Sequence, residues 1–369
     1  MFNVVLERQL ANREQFLNSL RTHPTVQGVF NDRIVTINEL PSQRNPTGID
    51  RVDADLSAAR SGDGRGDVNS DVAILDSGVS SHPDLNRYQC ISFLLLDFQI
   101  PMCDDGVSRG GHGTYVAGIA AARDNNIGVV GTAPGARIWA LKVVSDTGYG
   151  DESDVLEGLN YVAANARQIE VANLSFGEYG FSFPYLVAIA GLASKGVVVV
   201  VAAGNDNLDA NYETPANIPF AITVSAITDS DGKCGGLGPS LQVRAKRNPD
   251  DFFRSTSNYG PSVDLAAPGS NILSTNNIGS YSNESGTSMA APHVAGAVAL
   301  IKSLYPTANP FQVDAFLKSI GTKKPASGNP LVPCDGAGRG YFDDDYLSVR
   351  ISVLTDEFKE PLLHMGGIK

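Results

Sequence analysis

Three short stretches of this chain bring together side chains that could carry out nucleophilic catalysis. Asp76 follows the apolar run Val72-Ala73-Ile74-Leu75 and leads into Ser77-Gly78. His112 lies in Gly110-Gly111-His112-Gly113-Thr114, and Ser288 lies in Gly286-Thr287-Ser288-Met289-Ala290-Ala291-Pro292-His293. A serine hydroxyl is a weak nucleophile near neutral pH. It needs a base within hydrogen-bond reach, and that base needs a carboxylate to orient it. Taken singly, each residue has a plainer reading: the aspartate as a turn or cap, the histidine as a structural side chain between glycines, the serine as a helix N-cap. Only the set carries chemistry. Pro292 suits a first helical turn, where its missing N–H costs nothing, so Ser288 is expected at a helix N-terminus beside free N–H groups.

The elements that must position these groups can be read from the hydrophobic pattern. Uniformly apolar runs at 72–75, 138–144, 171–176, 197–203 and 221–226 read as buried strands, with helical segments at 112–122, 152–167, 183–194 and 288–304 between and after them. That alternation predicts an α/β fold: a mostly parallel central sheet with helices on both faces. In such a sheet, functional groups gather at the carboxyl ends of the strands. Residues 6–20 have helical spacing, and 25–40 read as strands with a hairpin near Asn31-Asp32. The proline-containing stretch 41–48 reads as an exposed linker. The segment 228–253 breaks the rhythm and reads as an insertion. The chain after Gly321 is turn-rich and acidic and is expected to wrap on the surface.

Composition narrows the function classes. Hydrophobic residues make up 42% and charged residues 18% of the 369, which excludes a disordered chain. A net charge of -12 repels phosphate backbones and argues against nucleic-acid binding. The longest apolar run, 197–203, is far short of the ~20 residues that span a bilayer. No Cys-x-x-Cys pair exists, which argues against a zinc ribbon or a thioredoxin-type site. Arg65-Gly66-Asp67, in a Gly/Asp-rich loop, is read as a chance match to an adhesion tripeptide, and Asn173-x-Ser175 as a chance sequon.

Asp76-Ser77-Gly78-Val79, His112-Gly113-Thr114-Tyr115-Val116-Ala117-Gly118 and the stretch from Gly286 to Gly296 together resemble the three signatures of subtilisin-like serine peptidases, in order, over about residues 46–318. The order Asp…His…Ser is that of subtilisins and differs from the α/β-hydrolase order. The resemblance implies a serine endopeptidase with Ser288 as nucleophile, His112 as base and then acid, and Asp76 as orienting carboxylate. By the same resemblance Asn205, in Val201-Ala202-Ala203-Gly204-Asn205-Asp206, is the oxyanion donor. Substrate would lie between Gly148-Tyr149-Gly150 and Leu174-Ser175-Phe176-Gly177, with Ala203 and Gly204 completing an apolar pocket for a bulky P1 residue. The domains implied are a partial prosegment at 1–41, a catalytic domain at 42–322 and a C-terminal extension at 323–369. The alternative is a catalytically inactive subtilisin fold used as a binding module.

The family's strong calcium loop is matched by 123–129. The implied ligands of a structural Ca2+ are the carbonyls of Arg123, Ile127 and Val129 and the side chains of Asn125, Asp84 and Gln43. Gln43 is expected to arrive only once the linker near Pro41 is cut. The partners implied are protein or peptide substrates and the chain's own prosegment, with a monomeric state. Four cysteines allow three pairings. Bridges Cys90–Cys103, around a loop of twelve residues, and Cys234–Cys334, between the two segments foreign to the family pattern, are expected. Bridged cysteines favour an oxidising compartment, so an extracellular location is expected although no export signal is visible; four thiols in an intracellular enzyme is the alternative.

Overall fold

The structure is a computed structural model that describes residues 42–94, 103–106, 110–233, 238–321, 363–365 and 368. The elements expected before residue 42, and the expected Cys234–Cys334 bridge, lie outside the described residues. In chain order the helices are α1 (Thr47–Arg51), α2 (His112–Ala121), α3 (Glu152–Ala164), α4 (Phe183–Ser194), α5 (Thr287–Leu304) and α6 (Pro310–Ile320). The strands are β1 (Asp71–Asp76), β2 (Arg87–Ser92), β3 (Arg137–Lys142), β4 (Val171–Leu174), β5 (Glu178–Tyr179), β6 (Val198–Ala202), β7 (Glu213–Thr214), β8 (Ala221–Thr228), β9 (Leu241–Val243), β10 (Lys246–Asn248), β11 (Phe252–Phe253), β12 (Leu265–Pro268), β13 (Ile272–Thr275) and β14 (Tyr281–Glu284).

The apolar runs form the sheet they predict. Its order is β11-β8-β6-β4-β1-β3-β2, with β12 also on β8, and every pairing but that of β11 is parallel. Side chains alternate between faces along each strand. Val72 and Ile74 of β1 enter the core shared with α2 and α5, whereas Ala73 and Leu75 enter the core shared with α3 and α4. The chain runs to one side of β1 for β2 and β3, then to the other for β4, β6 and β8. The carboxyl end of β1 is therefore the switch point where an open α/β sheet presents its site.

Three expectations need correction. Residues 42–48 are not a free linker: Ser42 and Arg44 bridge to Ile127 and Val129, and α1 follows at once. The carbonyls of the 123–129 loop give that stretch backbone partners that its polar composition does not reveal. Pro292 lies in the second turn of α5, not its first. It therefore removes the N–H that would have served the Ser288 carbonyl four residues back. The described residues of the C-terminal extension are buried rather than wrapped on the surface. Leu363, Met365 and Ile368 join the core at 0–1% exposure, Leu363 N–H bonds Ala266 O, and Met365 N–H bonds Val52 O. The acidic stretch before them hides this short apolar run. Finally, α6 was not anticipated; an Asn309–Gln312 capping box and Pro310 start it.

Candidate active site

Asp76 is the last residue of β1 and is 2% exposed. Its Oδ1 accepts hydrogen bonds from His112 Nδ1 at 2.8 Å and Ser77 N–H at 2.7 Å, with the Ser77 hydroxyl oxygen 3.1 Å away. His112 opens α2. It is preceded by Gly111 at φ 83, in the left-handed region, where a Cβ would also collide with Asn277. The glycines around His112 thus let the chain turn sharply enough to lay the imidazole on Asp76. Burial opposes a charge on His112, but the Asp76 charge and hydrogen bond, with the charges of Asp105 and Glu284 beyond, outweigh it. They hold the imidazole above its ordinary value of 6.5. The other ring nitrogen, Nε2, has no partner among the described residues, which leaves it free to take a proton.

Ser288 is the second residue of α5. Its Oγ donates to the Ser175 carbonyl at 2.9 Å rather than to His112, and Ser175 Oγ donates to the Ser288 carbonyl at 3.0 Å. That second bond serves the carbonyl left unserved by Pro292. Asn205 follows β6. Its Oδ1 accepts from Thr287 N–H at 3.0 Å and from Arg254 at 3.4 Å. With the oxygen fixed in this way, the Nδ2 donor is turned to a known side and makes no bond to described residues. A cavity of about 290 Å³ adjoins the histidine, lined by Gly110, His112, Tyr115, Glu284 and Met289.

The expected substrate strands are in place as backbone. Leu174 ends β4, and Ser175, Phe176 and Gly177 follow it directly. Gly148, Tyr149 and Gly150 form a turn closed by Ser145 N–H on Tyr149 O at 2.7 Å, with the Tyr149 ring 73% exposed. Ala203 is buried, and Gly204 (φ 105) bonds Thr287 Oγ1 through its N–H.

Three carboxylates near the site escaped the sequence reading. Asp105 is buried behind the triad residues, accepting from Ser77 Oγ at 2.7 Å and from Thr114 N–H at 2.7 Å, and burial pushes it up to about 6. The Cys90–Cys103 disulfide, with Cα atoms 5.3 Å apart, fastens its segment to β2. Glu213 lies between the pocket glycines: a Cβ on Gly204 would collide with its Oε2, and one on Gly177 would come 3.5 Å from it. Glu284 reaches the cavity beside His112 from the end of β14. None of the three sits in a recognisable motif; Asp105, seven residues before His112, is the one that its position could have flagged.

The calcium-loop residues also converge. Asp84 is fully buried; Oδ2 accepts from Val129 N–H at 3.0 Å, whereas Oδ1 has no partner, and burial pushes the carboxyl up to about 6. Asn125 Oδ1 accepts from Ile127 N–H, and Arg123 N–H bonds Asp84 O. Gln43 is already on this loop in the uncut chain, contrary to expectation, with Oε1 accepting from the N–H groups of Asn125 and Asn126 at 2.8 and 2.9 Å. The backbone ladder of residues 42–44 brings it there without any cleavage. Asp124 is held by four N–H donors from the glycine-rich loop 62–66, which gives Arg65-Gly66-Asp67 a structural setting. An orphaned, buried carboxylate oxygen at Asp84 fits a hard cation.

A buried carboxylate orienting a histidine at the switch point of a parallel sheet, with a serine at a helix head nearby, is the arrangement of a serine hydrolase. The profile of the subtilase family matches residues 68–331. Subtilisin Savinase of Lederbergia lenta is 36% identical over 301 residues, covering 81% of this chain and all of that protein. The alkaline protease of Alkalihalobacillus alcalophilus is 35% identical over 326 residues, 88% of this chain and 77% of the relative. Among solved structures, a cold-adapted subtilisin-like serine proteinase superposes with a TM-score of 0.61 at 28% identity, covering 86% of this chain and 97% of the other. The chain belongs to the subtilase family and is a serine endopeptidase with the subtilisin-like α/β fold. These likenesses do not favour the inactive binding module.

Proposed function

We propose that the chain cleaves internal peptide bonds of protein substrates through an acyl-enzyme on Ser288. The observation that carries this is the 2.8 Å bond from His112 Nδ1 to buried Asp76, which leaves Nε2 as the free base. Ser288 Oγ rotates off the Ser175 carbonyl, gives its proton to His112 Nε2 and attacks the scissile carbonyl. The oxyanion is held by Asn205 Nδ2 and the Ser288 N–H. His112 then protonates the leaving amine, and water repeats the sequence to free the acid. A fluorophosphonate probe should label the folded protein at Ser288 alone; absence of label would overturn the assignment.

An extended substrate adds between Gly148-Tyr149-Gly150 and Leu174-Ser175-Phe176-Gly177. Bulky apolar P1 residues enter the pocket beside Ala203 and Gly204. The Glu213 carboxylate between the two pocket glycines supports acceptance of lysine or arginine as well. A calcium ion is held by Asp84, Asn125 and the carbonyls of Arg123, Ile127 and Val129, with Gln43 against the same loop; it supplies stability, not chemistry. Residues 1–41 act as a partial prosegment that inhibits the domain at 42–322. The enzyme works as an extracellular monomer, a reading supported by the Cys90–Cys103 bridge. No helix among the described residues is long and apolar enough to cross a membrane.

A further inference from the structure

The insertion between β8 and β11 has no part in the chemistry above, yet it concentrates negative charge. Antiparallel pairing sets Phe252 against Thr228. That register brings Asp229, just past Thr228, beside the Asp250-Asp251 pair that precedes Phe252. The turn at Gly232 (φ 74) folds Asp231 back onto them. One carboxylate oxygen from each of Asp229, Asp231 and Asp250 lies within 4.8 Å of the other two. Two of the three side chains are almost wholly buried, Asp229 and Asp250 each at 1% exposure.

The bonds inside this cluster leave one buried oxygen unserved. Asp250 Oδ1 accepts from Ser230 N–H and Oγ, both at 2.8 Å, and Oδ2 accepts from Gly238 N–H at 2.9 Å. Asp231 Oδ1 accepts from Lys233 N–H at 2.9 Å. Asp229 Oδ1 accepts from Gly232 N–H at 3.1 Å, but Asp229 Oδ2 is buried with no donor. A buried, unpaired carboxylate oxygen is costly unless something neutralises it. The nearby guanidinium of Arg51 is engaged through Nε by Asp251 at 2.6 Å. One buried cation therefore faces four carboxylates. Burial pushes Asp229 up to about 8, helped by the charges of Asp251, Asp250 and Asp231 and opposed by Arg51.

We propose that Asp229, Asp231 and Asp250 form a second divalent-cation site, separate from the Asp84 loop, that takes calcium. An all-oxygen set with no histidine or cysteine selects a hard cation, and a glycine-containing loop suits the flexible coordination of calcium better than the strict octahedron of magnesium. The ion ties both ends of the insertion together. Four residues past Asp250, Arg254 contacts Asn205 Oδ1 at 3.4 Å, so the site braces the segment behind the oxyanion asparagine.

The test is equilibrium dialysis of Ca2+ against the full chain carrying Ser288→Ala to stop self-digestion, with Asp231→Asn and Asp84→Asn added singly. Asp231 is half-exposed and accepts a single hydrogen bond among the described residues, from Lys233 N–H, so its replacement spares the fold. The expected result is that Asp231→Asn removes one bound ion or weakens it at least about tenfold. The ion lost with Asp84→Asn should be a different one, and the double variant should lose both. Asp229→Asn should match Asp231→Asn in binding and, in excess chelator, should not lower the melting temperature. Unchanged stoichiometry and affinity in both Asp231→Asn and Asp229→Asn would overturn the site, as would a parent whose only bound calcium vanishes with Asp84→Asn.

Discussion

Ser288 and Ser175 exchange hydrogen bonds: each hydroxyl donates to the other's carbonyl, at 2.9 and 3.0 Å. The nucleophile thus rests against the strand that would carry substrate, not against its base. Catalytic hydrogen bonds are often unmade in the free enzyme and tighten only around substrate. The arrangement exists because Pro292 denies the Ser288 carbonyl its helical partner, and the Ser175 hydroxyl replaces it.

Removing the nucleophile and removing the Ser175 hydroxyl that serves its carbonyl should differ sharply. Ser288→Ala and His112→Ala should each lower kcat by about 10⁶, the scale found for such residues in a subtilisin, and the double variant should be little worse. Asn205→Ala should cost about 10²–10³, again the subtilisin scale for one oxyanion donor. Ser175→Ala should cost only about 1 kcal/mol of stability, through the unserved Ser288 carbonyl, and leave kcat within about tenfold. Peptide hydrolysis assays and thermal melts read all four.

Activity should rise with pH. The base must be neutral to accept the serine proton, and Asp76, Asp105 and Glu284 hold His112 above 6.5. The acid limb of kcat/KM should therefore have its midpoint above that value. Glu284→Gln and Asp105→Asn each remove a negative charge that favours the imidazolium, so both should move the midpoint down. Added salt should shrink the Glu284 effect, because that carboxylate is exposed and screened. A limb that moves up in either variant would contradict the assignment.

Glu213 should set charge preference at P1. With matched peptides bearing lysine, arginine or phenylalanine at P1, Glu213→Gln should lower kcat/KM for the two basic residues while leaving phenylalanine nearly unchanged. An unchanged ratio means that the carboxylate, bonded to Asn258 Nδ2 at 2.8 Å, does not reach the substrate.

Calcium at the Asp84 loop should show in stability. An ion bound only by the folded state at ~1,000 times its Kd adds ~4 kcal/mol. Excess chelator should lower the melting temperature by several degrees and speed self-digestion, and Asp84→Asn should reproduce this with calcium present. Equal melting with calcium and with chelator would exclude the site.

Much of this was legible in the sequence, for a physical reason. Strands such as Val198–Ala202, buried on both faces, must be apolar throughout, and a parallel sheet needs helices between them. Asp76, His112 and Ser288 stood out because the glycines and small residues around them serve the backbone close to the chemistry. Asp105, Glu213 and Glu284 did not, since a carboxylate in a loop looks the same whether it faces water or a pocket. The same holds for Gln43 and for Leu363 to Ile368, whose places depend on partners far along the chain. Pro292 lies one turn further in than its type suggests because the carbonyl it leaves free is served by Ser175, just past β4, which local pattern cannot show.

The bridge from Cys90 to Cys103 has a bearing on where this enzyme can work. It fastens the segment that carries Asp105, and Asp105 reaches Asp76 through a single hydroxyl, that of Ser77. Thiol reductants would cut this mooring without touching any reacting atom, and the carboxylate behind the histidine would lose its fixed position. An oxidising compartment would keep that mooring whole, and a reducing one would slacken it.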